Sequence, residues 1–381
     1  MVRVQVSPEL LGWASDRSGV GEAELARRFP SLEQWLVGAT RPTLKQLEEF
    51  ARVTYTPIGF LFMKKPPVER LPIPDFRTVA DEALRRPTAN LLDTLYLCQE
   101  RQDWYRDYAR ANREAPLPFV GSLTVETPVA LAAERLRGVL SFDVEDRGSS
   151  WTEAFTRLRD QADECGVLVM VSGVVGSNTH RKLNPNEFRG FALADRLGPL
   201  VFVNGADTKA AQIFTLAHEL AHIWLGGSVL DDPSLAGPTG NESERWCNKV
   251  AAEFLVPLDV LEGLLRPNTP IATELDRLAK AFKVSTLVVL RRVFEANLLR
   301  WDEYQQLYRS ELARVLELVE RGHGDGGNFY NTQPVRVSKR FARALIESTL
   351  EGQTLHRDAF QMLGFKKYST FTELAHRLGV L

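Results

Sequence analysis

The 381-residue sequence contains only three cysteines and no CxxC pair. Cys98, Cys165 and Cys247 are odd in number and lie far apart along the chain, which argues against a disulfide framework and against a thiolate zinc site. Unpaired cysteines at this low frequency are typical of proteins in a reducing compartment. The sequence therefore predicts a cytoplasmic location.

Long apolar runs are also missing. No run of about 18 apolar residues occurs, the length that a membrane-spanning helix needs. The first residues, MVRVQVSPELL, contain no apolar stretch of the length found in secretory signals. We therefore expect neither a membrane span nor a signal peptide.

The chain has no excess of charge of either sign, with 47 Lys and Arg against 49 Asp and Glu. This balance argues against binding of nucleic acid or of an anionic membrane through the net charge of the whole chain. Binding through a local basic patch remains an alternative. Hydrophobic residues at 44% and charged residues at 25% are typical of a folded soluble protein, and the length predicts two or three domains.

The first 65 residues predict a helix-turn-helix bundle. Five short helices are expected, at 8–15, 22–29, 31–38, from 43 onward, and at 57–63. The pattern from Ser31 to Gln34 and the pattern from Thr43 to Gln46 both resemble capping boxes, which open helices. A tight turn between the second and third helices completes the outline.

Residues 66–140 predict a connector and residues 301–381 a helical accessory domain. The connector begins with Pro66, Pro67, Pro72 and Pro74 and continues in a long amphipathic helix over 88–110. The C-terminal region predicts a helix over 301–320, a glycine-rich joint over 322–327, and three short helices. Its last part, 330–381, has eight basic and four acidic residues, and we expect it to be a solvated helical unit.

Residues 141–300 combine strand and helix patterns. Apolar runs at 167–175, 188–194 and 200–203 predict a small three-stranded sheet. Helices are expected at 151–165, 207–225, 242–255, 271–281 and 285–296. The expected fold class is therefore α+β and mostly helical.

The clearest chemical motif is His218-Glu219-Leu220-Ala221-His222 on a predicted helix. Residues four apart lie on one helical face, so both imidazoles can reach one metal ion. Glu219 follows the first histidine directly, where a carboxylate can act as general base on a water molecule. The sequence therefore predicts a metal site of His218 and His222 with Glu219 as the catalytic residue.

A catalytic zinc site needs a third protein ligand. The helix over 242–255 offers Glu242, Glu244 and Glu253, and His323 is a remote candidate. Glu244 is preferred, because Asn248 lies one turn later and can hydrogen-bond a ligand imidazole. Cys247 is a softer alternative, but it points to a different face of the helix.

Three stretches together resemble the ImmA/IrrE family of metallopeptidases. They are 191–204, an apolar strand that ends in Asn204; 213–222, which contains the HExxH motif; and 244–257, which ends in Phe-Leu-Val-Pro. With its flanking elements the resemblance covers about residues 150–300. It implies a zincin-like core with a gluzincin-like zinc site, in which Glu244 is the third ligand and the edge of the sheet can hold an extended substrate. Zinc is the expected cofactor, and no residues are expected to bind any other cofactor.

The same resemblance implies a regulatory protease that cuts a helix-turn-helix repressor, or a stress sensor. The N-terminal region is similar to an XRE-type helix-turn-helix, through Glu24-Leu25-Ala26, Trp35, Gly38, Arg41-Pro42-Thr43 and Leu47. Its third helix, however, offers only Gln34 as a base reader, and residues 1–65 carry nine basic and seven acidic residues. Binding of DNA and binding of a partner protein both stay open for this region.

Two functions from different classes follow. The first is a zinc-dependent endopeptidase that cleaves a specific protein. The second is a non-proteolytic transcription regulator or antitoxin-like protein, in which the zinc core serves as sensor or scaffold. Arg181 and Arg189, in the polar stretch before the second strand, are candidates for steadying a substrate carboxylate or oxyanion, although surface ion pairs are the more common role of such residues.

Overall fold

The computed structural model describes residues 3–69, 71–74, 87–230, 242–266, 269–321 and 336–381. These residues are mostly helical and include one small sheet, so the general α+β class is confirmed. The described helices include none that is both long and apolar enough to cross a membrane. The predicted glycine-rich joint and His323 lie outside the described residues.

The N-terminal residues form a helical bundle around an aromatic core. Its helices, in chain order, are α1 (Pro8–Ser18), α2 (Glu22–Arg28), α3 (Leu32–Leu36), α4 (Leu44–Val53) and a short 3-10 helix (Ile58–Phe62). Phe29, Trp35 and Phe50 pack against one another, with ring centroids 5.5 Å apart for Phe29 and Phe50 and 6.4 Å apart for Trp35 and Phe50. Together with Leu25, Leu47 and other apolar side chains, these rings form the core of the bundle.

The two predicted capping boxes differ in outcome. At Thr43 the box is confirmed, because the Thr43 hydroxyl accepts from the Gln46 N–H and the Gln46 side chain accepts from the Thr43 N–H. At Ser31 the box is wrong, because the side chain makes no capping hydrogen bond. The Ser31 backbone (φ −95°, ψ 4°) lacks the extended conformation that lets a capping hydroxyl face the first turn.

The connector contains α5 (Ala89–Ala111), which Thr88 caps, and α6 (Val129–Leu140). The carboxylate of buried Glu187 accepts from both the backbone N–H and the hydroxyl of Thr88, at 2.8 and 2.9 Å. The start of α5 is thereby attached to the loop that precedes the second strand. The helix α7 (Trp151–Glu164) follows and leads into the sheet.

The sheet has four strands in the described residues, not the three that the sequence predicted. They are β1 (Leu168–Ser172), β2 (Gly190–Leu193), β3 (Leu200–Asn204) and β4 (Val229–Leu230), in the order β1-β3-β2-β4. β1 runs parallel to β3, whereas β2 is antiparallel to both β3 and β4. A strand of two residues is too short to show alternation in the sequence, so β4 was not predictable from pattern.

Both faces of the sheet are buried. The side chains of Val169, Val201 and Val203 join a core with α6, α7 and the helices α8 (Lys209–Leu225) and α9 (Glu242–Leu255). The alternate residues, such as Met170 and Phe202, face a second core. A sheet covered on both sides explains why its strands are continuous apolar runs.

The second core is completed by the end of the chain. Its helices are α14 (Lys339–Leu350), α15 (His356–Leu363) and α16 (Tyr368–Arg377), whose apolar side chains pack with α5 against the sheet. Basic residues at the start of α14 pair with acids of the rest of the fold: Lys339 lies 2.8 Å from Asp160, and Arg340 lies 3.3 Å from Glu114. These helices are therefore packed and partly neutralised, in contrast to the solvated unit that their charge predicted.

Four more helices pack on the side of the fold that contains α8 and α9. They are α10 (Leu258–Leu264), α11 (Ile271–Phe282), α12 (Thr286–Glu295) and α13 (Trp301–Arg321). Apolar side chains of α11 and α12 enter the same core as α8 and α9, and α13 packs on α12. As a result α8 and α9 lie between the sheet and a helical layer.

Candidate metal centre

The helix α8, which carries the HExxH motif, is buried along most of its length. The Thr208 hydroxyl caps its first turn by accepting from the Ala211 N–H, and Gly226 ends it in the left-handed conformation (φ 75°). Every side chain from Gln212 to Trp224 is buried, since the sheet covers one side of the helix and α9 another. The directions of the imidazoles are therefore fixed by packing.

His218, His222 and Glu244 converge at one point between α8 and α9. The two Nε2 atoms lie 3.0 Å apart, and the carboxylate oxygens of Glu244 lie 3.2 Å from His218 Nε2 and 3.0 Å from His222 Nε2. All three residues are at most 1% exposed. Among the described residues, they form a group able to hold a metal ion.

These separations fit a tetrahedral metal ion. Ligand atoms bound at about 2.0–2.1 Å in a tetrahedron lie about 3.3 Å from one another. The three observed separations of 3.0–3.2 Å approach this value. Two imidazole nitrogens and a carboxylate are also a donor set that zinc commonly takes.

The protonation states suit metal binding. Burial lowers the pKa of His222, and the Glu244 carboxylate acts to raise it. The effect of burial is the larger of the two, so the imidazole is neutral near pH 7. Burial of Glu244 by itself acts to raise its pKa, but the contacts with His218 and His222 outweigh burial and lower the pKa well below its ordinary value. A neutral imidazole and an ionised carboxylate are the forms that coordinate metals.

Glu219 is fully buried next to the ligand pair and lies against the start of β2. A Cβ atom at Gly190 would meet the Glu219 carboxylate at 3.1 Å, Thr215 at 2.6 Å and the Phe202 carbonyl at 2.8 Å. Only glycine leaves room for this approach of strand and helix. Gly190 is a site residue that sequence reasoning missed, and the available signal was a glycine inside the strand predicted at 188–194.

The remaining ligand candidates lie elsewhere or are engaged. Glu242 is exposed, two residues before Glu244 on α9. Glu253 forms an ion pair with buried Arg292 of α12. Cys247 is fully buried in the apolar core. Asn248 is partly exposed and lines a cleft with Phe214; its hydrogen bond to an imidazole stays a prediction.

Each of the two candidate arginines forms an ion pair with an aspartate. Arg181 lies 2.6 Å from Asp93 and over the ring of Tyr55, far along the chain from the motif. Arg189 lies 3.6 Å from Asp207 and directly precedes Gly190, the residue that packs against Glu219. Of the two arginines, the structure therefore places Arg189 beside a residue of the site, a distinction that the sequence did not make.

Comparison with known families gives two matches. Residues 162–294 match the family model described as the IrrE N-terminal-like domain, Peptidase_M78. Residues 337–377, which hold α14 to α16, match a domain of unknown function, DUF8813. No curated protein matches the chain. The first match supports the ImmA/IrrE resemblance and indicates a metallopeptidase-like function for the segment that contains all three ligand candidates.

Proposed function

We propose that this protein is a zinc-dependent endopeptidase with a regulatory role. The observation that carries the proposal is the meeting of two imidazole nitrogens and the Glu244 carboxylate beside a further buried carboxylate, Glu219. Three protein ligands leave one position of a four-coordinate zinc ion open, which is the arrangement of catalytic rather than structural zinc.

The roles of the residues follow from this arrangement. A bound zinc ion would supply Lewis acidity and lower the pKa of a water molecule. His218, His222 and Glu244 hold the ion. Glu219 accepts the proton that water loses when its oxygen adds to the peptide carbonyl, and then delivers that proton to the amide nitrogen as the carbon–nitrogen bond breaks.

Replacing the general base tests the proposal. In Glu219→Gln we expect the metal content to stay at the wild-type level and cleavage to fall by about 10²–10⁴-fold, the usual contribution of a general base. Metal per chain is measured by mass spectrometry of the zinc-loaded protein, and cleavage on a mixed peptide library. Glu242→Gln, an exposed acid on α9, is the matched control and should change neither value. Unchanged cleavage in Glu219→Gln would remove Glu219 from its role.

A helix-turn-helix repressor is the proposed substrate. The ImmA/IrrE resemblance supports this class, and the N-terminal bundle supports recruitment of a protein. Val37, directly after α3, is 73% exposed, and Phe62 is 52% exposed. Apolar side chains at these positions suit a protein surface better than the phosphates of DNA.

The alternative is a non-proteolytic, antitoxin-like regulator that binds DNA or protein through residues 1–65. Two variants separate the alternatives in cells that carry the repressor gene. Loss of the regulatory phenotype in Glu219→Gln supports the peptidase, whereas loss only in Val37→Asp supports the binding protein. Direct binding of promoter DNA by the wild-type protein, measured by fluorescence anisotropy, would establish DNA as the partner of the bundle.

A further inference from the structure

We propose that an exposed surface of α15 and α16 binds single-stranded nucleic acid. This aromatic–lysine surface consists of His356, Phe360, Lys366, Lys367 and Tyr368. It lies within the segment that matches the domain of unknown function, and the second core separates it from α8 on the other side of the sheet. The inference does not depend on the proposed peptidase function.

Three aromatic rings of this surface surround one buried ring. The ring centroids of His356, Phe360 and Tyr368 lie 5.7, 5.6 and 6.0 Å from that of Phe371, which is fully buried. His356 and Tyr368 are each the first residue of a helix, and their centroids lie 5.8 Å apart. Tyr368 is 56% exposed, and His356 is exposed as well. The buried ring therefore holds in place two rings that are open to solvent.

The far end of α15 is anchored to the rest of the fold. Buried Arg101 of α5 donates from Nε and Nη2 to the carbonyl of Met362, at 3.0 and 2.7 Å. Gly364, which ends α15 with φ 69°, lies so close to Ser177 that a Cβ atom would clash with the hydroxyl of that serine. Because these contacts fix the end of the helix, the exposed rings at its start have a defined position.

The two lysines of this surface have no acidic partner of their own. Lys366 and Lys367 lie between α15 and α16, are exposed, and form no ion pair within the described part of the chain. In contrast, Lys339, Arg340 and Arg377 each pair with an acid. The positive charge of the C-terminal segment that is left for an anionic partner is therefore concentrated beside the exposed rings.

Aromatic rings and lysines side by side match the two parts of a nucleotide. A base stacks its flat face on an aromatic side chain, and its phosphate is attracted by a neighbouring cation. Because every nucleotide carries both parts, one strand can cover the exposed rings while its phosphates pass the lysines. An acidic peptide fits less well, since its charged side chains have no aromatic face and leave the rings uncovered. Asp358, in the first turn of α15, pairs with Arg357, which reduces its repulsion of phosphate.

A single strand suits this surface better than a duplex. In a duplex the bases stack on one another and present only their edges to a protein, whereas unpaired bases offer their faces. Stacking on aromatic side chains tolerates any base, and contacts with phosphates weaken as salt rises. We therefore expect binding that has little sequence preference and depends strongly on salt.

Fluorescence anisotropy of labelled oligo(dT) and oligo(U), each of about 15 nucleotides, tests the proposal on the full-length protein. The wild type should bind these strands. Tyr368→Ala should bind them at least about fivefold more weakly, because one base loses its stacking partner. Tyr368→Phe keeps the ring and should bind as the wild type does. Affinity for a duplex of the same length should be equal in the wild type and in Tyr368→Ala.

The lysines are tested by the salt dependence of the same binding. The double variant Lys366→Ala, Lys367→Ala should bind more weakly and should lower the slope of log affinity against log salt by about 0.7 for each lost phosphate contact. Tyr96→Ala on α5 and Lys280→Ala on α11, both at exposed positions, are the matched controls and should behave as the wild type.

Three results would overturn the proposal. The first is a wild type that binds neither strand. The second is wild-type affinity for the strands in both Tyr368→Ala and the double lysine variant, which would place the binding elsewhere on the chain. The third is competition by an oligoglutamate peptide as effective as that by the unlabelled strand, because the surface would then recognise acidic protein segments. Loss of affinity in Tyr368→Ala, together with its retention in Tyr368→Phe, would support stacking at this surface.

Discussion

The two ends of α9 place buried glutamates in opposite settings. Glu244, in the first turn, is fully buried and faces two imidazoles. Glu253, near the last turn, faces Arg292, whose guanidinium also donates to the Val256 carbonyl at 2.9 Å. Glu253 therefore faces a guanidinium, which stays positively charged, whereas Glu244 faces two imidazole nitrogens, which can themselves bind a metal ion. The comparison teaches that burial alone does not distinguish a metal ligand from an ion-paired glutamate. The neighbouring side chains, imidazoles or a guanidinium, make that distinction.

The largest effect that sharpens this comparison is expected from Glu244→Gln. The neutral amide removes the anionic ligand, so zinc affinity should fall by more than the roughly 10–100-fold that loss of an outer partner causes. Competition with a fluorescent chelator measures the affinity. Glu242→Gln should retain wild-type affinity, and equal affinity for both variants would contradict the assignment of Glu244.

Glu253→Gln is expected to act on stability instead. It leaves the buried guanidinium of Arg292 with fewer charged acceptors, although Glu295 still lies 2.5 Å away. The free energy of unfolding should fall by about 1–3 kcal/mol, the range for a hydrogen bond to a charged group. Urea unfolding measures this, and zinc affinity, tested in parallel, should stay within about twofold of the wild type. A large loss of zinc would mean that the two ends of the helix are coupled.

The smallest effect is expected from Asn248→Ala, between the two glutamates. Because Asn248 lines the cleft and is partly exposed, its removal should lower zinc affinity by less than about tenfold. The same chelator competition serves here. A loss of 10–100-fold would instead support the hydrogen bond to a ligand imidazole that the sequence predicted.

Local rules predicted much of the fold. The helix Glu242–Leu255 has the bounds that the sequence indicated, and the Thr43 capping box formed, because both depend on contacts within a few residues. The box at Ser31 failed, although its residue types were suitable, because the path of the chain there sets a different backbone conformation. Sequence pattern thus identified elements more securely than the details of their ends.

Long-range packing explains what the sequence left open. Nothing local indicates that β4 pairs with β2 or that α14 to α16 complete a core on the outer face of the sheet. The same holds for Gly190, whose lack of a side chain matters only because Thr215 and Glu219 of α8 pack against it. Each of these contacts joins segments that are distant in the chain.

The sequence by itself determined that His218 and His222 share one helical face and that Glu219 flanks that face, since an α-helix repeats every 3.6 residues wherever it lies. Only the tertiary structure decided which acid contacts the two histidines and which helices line the neighbouring cleft. The crossing of α8 and α9 brings Glu244 within 3.2 Å of the imidazoles, while Glu253, on the same helix, is turned toward Arg292. The direction in which two helices cross is set by the packing of their side chains, and no residue spacing within one helix can encode it.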